Sequence, residues 1–513
     1  MPGRLADVTV ALSLATDLGT GQPMEHGLRT CWLSLRTAEA LGLDSTTRSC
    51  VYHTALLRFI GCTSDAAETA ALAGGDDLAF NETMAPMLMG QSVEATRYFV
   101  RHLGEELSVL DRAGRVVRAL ADPGASARSL SQHCEVGARL ATRLGVGDGV
   151  CVALAHAYER WDGRGAPAGL AGDDVPVAVR VVTVARDVEL WSRRADWPAT
   201  TAVLSQRRGR AYEPAVVDAL LADGERWLTE AGDDVGAMVL DAEPTPVLTI
   251  GASGLDGVLA AIADFTDIKS PWLRGHSTHV ARLVADAAGH AGLSGTQATE
   301  AARAALLHDV GRVGVPNGIW DRAGPLTAAQ WERVRLHPYL TERVLQRAPM
   351  LTQFSVVAAG HHERADGSGY HRASHAAEQV PGARLLAAAD AYHAMTEDRP
   401  HRAALSEHDA AAQLCADLEA GRFGHRQVDA VLAAAGEARP RRPAANPVGL
   451  TDREVEVLRL IARGRVNKQV AAKLGISAKT VGRHVEHIYA KAGVTTRAGA
   501  TLFAMEHGLL TSG

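Results

Sequence analysis

The residues best suited to chemistry are histidines and carboxylates concentrated in one stretch of the chain. They are His276, His308, Asp309, His337, His361, His362 and Asp390. Imidazole and carboxylate groups suit iron, manganese or zinc, and the lack of cysteine argues against a structural zinc site. Adjacent His308 and Asp309 let one helix turn offer a nitrogen and a carboxylate. Because a carboxylate can bridge two ions that clamp a phosphate, these residues favour phosphoester hydrolysis.

A single histidine supports this interpretation weakly, because the chain holds 21 of them and most histidines lie at the surface or in a satisfied core. The prediction therefore depends on the set, with its adjacent pairs. The elements that position the set are predicted to be helices. Alanine-rich segments with apolar residues at helical spacing dominate, as in residues 281–288 and 383–395, and strand-type alternation is scarce. We expect an all-α protein.

Two helical blocks repeat one another. A spacing of 32 positions separates His276 from His308 and also His26 from Arg58. The segment HHERADGSGY in the later block corresponds to AYERWDGRGA in the earlier one. A Pro/Arg-rich stretch then reads as a linker. The predicted domains are a first repeat at 1–245, a second at 250–435, the linker at 436–448 and a C-terminal domain at 449–513.

The second repeat resembles an HD-GYP domain, a branch of the HD phosphohydrolases. Three segments carry the resemblance: LLHDVGRVGVPNGIWDRAGPLTAAQWERVRLHP, HHERADGSGYH and AAADAYHAMTEDRPHR. The family is all-α, binds two or three ions, usually iron or manganese, and hydrolyses cyclic di-GMP. The resemblance implies that the seven histidines and aspartates above are metal ligands. It also implies catalytic roles for Asp309, as the bridge, and Arg312, and nucleotide contacts for the loop residues Asp366, Gly367, Gly369 and Tyr370.

Three positions depart from the family pattern. Arg312 replaces a lysine expected beside the scissile phosphate, and it keeps the charge but not the geometry. His371 replaces the proline of the signature, which removes a fixed φ. Trp272 stands where members with three ions have a carboxylate, so we expect two divalent ions, iron or manganese.

The first repeat has lost most of these groups. Arg58 and Phe59 occupy the positions of the His-Asp pair, and Ala157 and Tyr158 those of the His-His pair. Asp390 aligns with Ala185 or Arg186, and only His26 and His133 remain. We expect no pair of ions there. The repeat is either a packing partner in a pseudo-dimer or a ligand pocket formed by Glu159, Arg160 and the loop at 162–165.

The C-terminal segment has the pattern of a helix-turn-helix. Thr451 and Glu454 form a predicted capping box, Gly475 marks a turn, and Ser477 caps the following helix. From Thr451 to Gly513 there are ten basic and five acidic residues, a net charge of +5, in a chain whose total is −6. A local positive excess is typical of phosphate contact.

This segment resembles the LuxR-type DNA-binding domain, through LTDREVEVL, NKQVAAKLGIS and KTVGRHV. The resemblance implies a four-helix domain, binding to double-stranded DNA and a homodimer. Lys479, Thr480 and Arg483 would face the bases, while Asn467 and Lys468 would contact the backbone. Gly482 and Glu486 replace basic residues of many relatives, which leaves the operator sequence open.

The composition agrees with a cytoplasmic protein. Six scattered cysteines form no metal-ligand spacing and are expected to be free thiols. No apolar run approaches the ~20 residues of a membrane span. Three functions stay open: a transcription regulator that senses cyclic di-GMP and hydrolyses it weakly or not at all, an active cyclic di-GMP phosphodiesterase, and a hydrolase of another phosphate ester.

Overall fold

The computed structural model describes residues 3–87, 112, 114, 116–117, 124–232, 234–251, 253–436 and 447–510. The chain divides into two units, Met1–Leu255 and Asp256–Gly513. The expectation of an all-α protein is confirmed, since the described strands are two residues long each. Most of the predicted linker, residues 437–446, lies outside the described residues. Within the described part of the chain, no helix is long and apolar enough to cross a membrane.

The first unit contains eleven described helices. A short antiparallel pair joins its two ends, with β1 (Gly3–Arg4) against β2 (Thr249–Ile250). The helices are α1 (Leu5–Gly19), α2 (His26–Ala40), α3 (Ser45–Leu57), α4 (Ala66–Ala73), α5 (Asp77–Met84), α6 (Ala125–Leu144), α7 (Asp148–Ala155), α8 (Val177–Arg194), α9 (Trp197–Arg207), α10 (Pro214–Glu230) and α11 (Val235–Asp241).

The second unit contains the second repeat and the C-terminal domain. The repeat comprises α12 (Leu255–Asp267), α13 (His276–Ala288), α14 (Gly295–Leu307), α15 (Asn317–Trp320), α16 (Ala328–Arg335), α17 (His337–Gln346), α18 (Thr352–Ala359), α19 (Pro381–Met395), α20 (Glu407–Glu419) and α21 (His425–Gly436). The C-terminal domain comprises α22 (Asp452–Ala462), α23 (Asn467–Leu474), α24 (Ala478–Ala492) and α25 (Arg497–Glu506).

The core of the second repeat lies between α13, α14, α19 and α21. Val280, Val284, Leu385 and Val431 are fully buried in it. Alanines line much of the contact, and their small side chains let the helix backbones approach closely. Burying each aliphatic side chain contributes about 1.5–3 kcal/mol. This packing fixes the start of α13 and the end of α14, where two predicted ligands lie.

Equivalent helices of the two repeats begin and end at matching positions. α3 spans residues 45–57 and α14 spans 295–307, so a shift of 250 positions superimposes their bounds. The residues before α2 and α13 also match, because Glu25 and Gly275 both have a left-handed backbone, with φ of 80° and 84°. The same turn therefore introduces His26 and His276.

The C-terminal domain has the four predicted helices. The side chain of Thr451 accepts a hydrogen bond from the Glu454 amide at 3.2 Å, and the Glu454 carboxylate accepts one from the Thr451 amide at 2.7 Å. Gly475 makes the turn with φ of 65°, and Ser477 caps α24 by accepting from the Thr480 amide at 3.0 Å. The predicted capping box, turn and cap are confirmed.

Candidate metal centre

The predicted ligands lie mainly at helix ends. His276 begins α13, His308 follows the last residue of α14, and His337 begins α17. His361 and His362 come just after α18, and Asp390 lies within α19. All are buried except His362, which is half-buried. The structure therefore brings together all seven residues that the sequence singled out.

Backbone carbonyls orient three of the imidazoles. The Nδ1 atoms of His308, His337 and His361 donate to the carbonyls three residues earlier, at 2.6, 2.5 and 2.7 Å. Since a carbonyl only accepts, each Nδ1 must carry the hydrogen. Each neutral ring therefore presents a lone pair on Nε2, which is the form that binds a metal ion.

The Nε2 atoms converge on the carboxylate of Asp309. Nε2 of His361 and His337 lie 3.4 and 3.5 Å from Oδ1, and Nε2 of His308 lies 3.6 Å from Oδ2. Oδ1 of Asp309 and Nε2 of His308 are buried and make no hydrogen bond to any described residue. Nε2 of His337 also faces Nε2 of His361 at 3.0 Å. Two lone pairs at this distance repel, and a cation between them would relieve the repulsion.

The donor groups fall into sets that fit metal ions. His276, His308 and Asp390 form one, and His337, His361 and His362 form another, with ligand atoms within 4.8 Å of one another in each. Asp309 stands between them and also groups with His308 and His361. Nitrogen and carboxylate donors suit divalent transition metals.

Burial sets the protonation of the ligands. It lowers the pKa of His308 to about 4 and that of His337 to about 3. Burial alone would raise the pKa of Asp309, but the Arg312 guanidinium and nearby imidazoles hold it well below its usual value. The rings of His308 and His337 are therefore neutral and the Asp309 carboxylate is ionised near neutral pH, as metal ligation requires.

His276 differs from the other rings because carboxylates flank both of its nitrogens. Nδ1 lies 2.9 Å from Oε2 of Glu397, and Nε2 lies 3.1 Å from Oδ1 of Asp390. Burial opposes protonation, yet Glu397 and Asp390 raise the pKa of His276 to about 10. Glu397 also contacts His393 at 3.2 Å and Arg399 at 2.7 Å.

Sequence reasoning missed Glu397 and His393. With His276 they form a further group whose ligand atoms lie within 4.8 Å of one another. The available signal was the spacing of four positions between His393 and Glu397, next to the Asp390 motif, which places both on one face of a helical turn. The partner His276 lies 121 positions away, so local pattern alone did not reveal the contact.

Arg312 lies at the edge of the cluster. Its Nη1 donates to Oδ2 of Asp309 at 2.8 Å, and its guanidinium carbon lies 3.8 Å from the centroid of the Trp320 ring. Stacking on an indole holds the planar group in place, which a lysine would not reproduce. The cation predicted to meet a phosphate is therefore fixed beside the bridging carboxylate.

One side chain of the predicted nucleotide-binding loop, Tyr370, lies next to the predicted metal ligands. The ring of Tyr370 is 4.8 Å from that of His362, between centroids. Asp366 is exposed and accepts hydrogen bonds from the Ser368 amide and hydroxyl at 2.9 and 2.7 Å, so it shapes the loop. A Cβ on Gly369 would lie 2.4 Å from the Arg364 nitrogen, so only glycine fits there. A nucleotide contact remains a prediction for these residues.

In the first repeat, the polar side chains of the corresponding loop make their contacts within that loop. The Glu159 carboxylate accepts from the amides of Ala168, Gly169 and Leu170 at 2.6–3.0 Å. Arg160 pairs with Asp162. The two side chains proposed for a ligand pocket therefore hold the loop in shape.

The residues predicted to contact DNA lie on one small domain. Asn467 and Lys468 begin α23, while Lys479, Thr480 and Arg483 lie in the first two turns of α24. All five are exposed. Their side chains are available to a nucleic acid, and the contacts themselves remain predictions.

Comparisons with known proteins agree with this architecture. A family model described as HD domain matches residues 125–215 and 260–425, so both repeats are covered. The model for bacterial regulatory proteins of the luxR family matches residues 448–504.

Curated relatives are phosphodiesterases. The 3'3'-cGAMP-specific phosphodiesterase 3 of Vibrio cholerae is 29% identical over 407 residues, which is 78% of this chain and 88% of that protein. A cyclic di-GMP phosphodiesterase of Thermotoga maritima is 33% identical over 147 residues, covering 28% of this chain and 39% of that protein. A crystal structure of a cyclic GMP-AMP specific phosphodiesterase of V. cholerae shares the fold, with a TM-score of 0.60 and 24% identity, over 85% of this chain and 99% of that one. This chain therefore belongs to the HD domain family, and it ends in a domain of the luxR family of bacterial regulatory proteins.

Proposed function

We propose that this protein is a DNA-binding regulator whose second repeat hydrolyses a cyclic dinucleotide with two divalent ions, iron or manganese. The observation that carries the proposal is the convergence of three carbonyl-anchored imidazoles on the carboxylate of Asp309. The Nε2 atoms of His337 and His361 face each other, and Oδ1 of Asp309 accepts no hydrogen bond from a described residue. A cation at this place would satisfy all three atoms. One ion would be held by His276, His308 and Asp390, the other by His337, His361 and His362, with Asp309 as the bridge.

The ions would supply Lewis acidity, which activates water and offsets phosphate charge. The chain supplies the rest. Arg312, stacked on Trp320, offers its remaining N–H groups to a phosphate oxygen. The Tyr370 ring, which lies against His362, provides an aromatic wall for a nucleobase. Buried walls around the cluster exclude bulk water and strengthen these charge interactions.

The substrate is the finer part of the proposal. The sequence pattern indicated cyclic di-GMP, but the relative that aligns with 78% of this chain is specific for 3'3'-cGAMP. We therefore propose 3'3'-cGAMP as a second candidate, to be compared directly with cyclic di-GMP. A hydrolase of another phosphate ester remains the alternative if neither is cleaved.

The C-terminal domain provides the output. The turn that follows α25 approaches the start of α13, since a Cβ on Gly275 would lie 4.0 Å from the Cβ of Leu510. His276 is the next residue, so a change at the first ion has a short route to the DNA-binding domain. We propose binding to double-stranded DNA as a homodimer.

The test is hydrolysis of both dinucleotides by iron- or manganese-loaded protein. Asp309→Ala should abolish turnover, while His408→Ala, which removes an exposed histidine of α20, should leave it unchanged. Metal content is measured on each preparation. Metal-loaded protein that cleaves neither dinucleotide would contradict hydrolysis of a cyclic dinucleotide and leave a sensor or a hydrolase of another phosphate ester.

The regulatory half needs its own measurement. Affinity for genomic DNA fragments is compared between the wild type, His308→Ala and Arg483→Ala. Each affinity is measured with and without the cyclic dinucleotide. Coupling would be supported if Arg483→Ala alone lost DNA binding, and if His308→Ala bound DNA with an affinity that the dinucleotide no longer changed. Equal responses in the wild type and His308→Ala would show that the modules act independently.

A further inference from the structure

The first repeat holds a second cluster of reactive groups, at positions where the second repeat has its metal centre. A shift of 250 positions places Cys62 against Arg312. Sγ of Cys62 lies 3.6 Å from Nδ1 of His133 and 3.2 Å from the hydroxyl of Tyr158. Nε2 of His133 lies 2.8 Å from Oδ1 of Asp65. A thiol, an imidazole and a carboxylate in this order are the arrangement that activates a nucleophilic cysteine.

The imidazole beside the sulfur carries a positive charge. Burial alone would lower the pKa of His133, but the Asp65 carboxylate and Cys62 raise it well above its usual value. Asp65 stays ionised, because His133 lowers its pKa in spite of burial. Sγ of Cys62 therefore lies beside an imidazolium, and the Tyr158 hydroxyl lies 3.2 Å from both Sγ and Nδ1 of His133.

A buried cation lies in the same part of the first repeat. Arg58 is only 9% exposed, and its Nε and Nη1 make no hydrogen bond to any described residue. Its guanidinium carbon lies 5.9 Å from the centroid of the Tyr158 ring, whose hydroxyl contacts Cys62. A buried guanidinium with two unsatisfied nitrogens is costly unless negative charge is near, and the Asp187 carboxylate supplies part of that charge.

The other thiols lack this setting. Cys31 and Cys134 are buried, while Cys50, Cys62, Cys151 and Cys415 are half-buried. Burial raises the pKa of Cys50, whose hydrogen-bond partner is the Thr54 hydroxyl. Half-buried cysteines of the same chain therefore serve as internal controls for Cys62.

We propose that Cys62 is a nucleophilic cysteine that small electrophilic oxidants of the peroxide class modify, with His133, Asp65 and Tyr158 as positioning residues. Sγ attacks one peroxide oxygen, the O–O bond breaks, and the sulfur is oxidised by two electrons to the sulfenic acid. The departing hydroxide takes the proton of the His133 imidazolium and leaves as water. The first repeat, which has lost its metal ligands, thereby gains a different chemistry.

The experiment measures the modification of each cysteine in the full-length native protein. Hydrogen peroxide followed by a sulfenic-acid trap, and iodoacetamide in a parallel series, are quantified by peptide mass spectrometry. Near pH 6.5 we expect Cys62 to react on the order of 10-fold faster than Cys50, Cys151 or Cys415, because its sulfur lies beside an imidazole held by a carboxylate. The Cys62 rate should also level off with rising pH before the others do. Equal rates or superimposable pH profiles would overturn the proposal.

Asp65→Asn keeps the shape of the side chain and removes its charge. It should slow Cys62 near pH 6.5 and shift its pH profile upward. The matched control is Asp148→Asn, at the exposed start of α7. Cys134 reports on folding, since it is buried beside His133 and should stay protected in both variants. An Asp65→Asn protein with protected Cys134 and an unchanged Cys62 profile would also contradict the proposal, and His133→Asn gives a second route if Asp65→Asn does not fold.

Discussion

The two repeats place the same helices around centres of opposite charge character. In the second repeat the centre contains the ionised carboxylates of Asp309 and Asp390 and the neutral rings of His308 and His337. Its cations, Arg312 and His276, lie beside these carboxylates. In the first repeat the guanidinium carbons of Arg58 and Arg186 lie 5.6 and 5.8 Å from the Phe59 ring centroid, where the second repeat has Asp309. The chain thus supplies its own cations there. A duplicated fold can lose a metal centre without losing its architecture, provided that the charge is replaced from within.

The largest effect is expected when a residue of one repeat is placed at the equivalent position of the other. His308→Arg should remove bound metal and lower hydrolysis by a factor on the order of 10³ or more, because a guanidinium cannot ligate an ion. Metal content and turnover are measured together. The reverse change, Arg58→His, should add no metal, since Phe59 and Ala157 still lack donor groups. A gain of bound ion in Arg58→His would show that the first repeat is closer to a metal centre than its residues indicate.

The stability of the repeats should respond differently to acid. His53 in α3 is buried, and burial lowers its pKa to about 4. Because the folded pKa lies below the unfolded value of 6.5, its contribution is present above pH 6.5 and is lost as the pH falls towards 4. The loss amounts to about 3 kcal/mol for a shift of this size.

Hydrogen exchange of two helices measures this effect. Amides of α3 should lose protection between pH 6.5 and 4 in the wild type but less in His53→Leu, compared at the same pH. The equivalent residue of α14 is Arg303, which pairs with Asp256 at 2.7 Å, so this position gives α14 no such response. A loss of protection in α14 would instead come from His308 at its end, whose pKa burial also lowers to about 4. Equal loss in α3 of the wild type and His53→Leu would assign the acid sensitivity elsewhere.

The equivalent histidines His26 and His276 each contact a glutamate, but only the glutamate beside His276 is expected to affect metal affinity. Glu397 contacts Nδ1 of His276, as Glu189 contacts Nδ1 of His26. Glu397→Ala should weaken metal affinity by roughly 10–100-fold, because it removes the group that orients a ligand. Titration with a metal chelator gives the affinity. Glu189→Ala is the matched control and should leave metal affinity unchanged; a similar decrease in both variants would mean that the effect is indirect.

The smallest effect is expected at two equivalent helix caps. Asp44 accepts from the Thr47 amide at 3.0 Å, and Ser294 accepts from the Gln297 amide at 3.4 Å. Asp44→Ala and Ser294→Ala should each cost about 1 kcal/mol, confined to α3 and α14 respectively. Local hydrogen exchange provides the measurement. Loss of protection in both helices after a single substitution would show that the repeats unfold together.

Motif spacing predicted which residues gather in the second repeat, because the ligands belong to short segments that recur as recognisable pairs. It also predicted the repeat and the C-terminal domain, whose caps and turn are local. The contact between His276 and Glu397 and the stacking of Arg312 on Trp320 were not predicted. Both depend on how separate helices pack, which a linear pattern does not encode. For the same reason, the cluster of Cys62, His133 and Asp65 was not visible in a sequence whose cysteines looked merely scattered.

The hydrogen bonds from Nδ1 to carbonyls three residues earlier have a consequence for the entropy of metal capture. Each ring is already confined to one orientation when the helices form, so its rotational freedom is lost on folding and not on binding. Three ligands that need no further ordering make capture of an ion less costly in entropy. The same rigidity limits how far the predicted ligand set adapts to ions of different radius. The positions of the helix ends therefore set which ionic radius the site prefers.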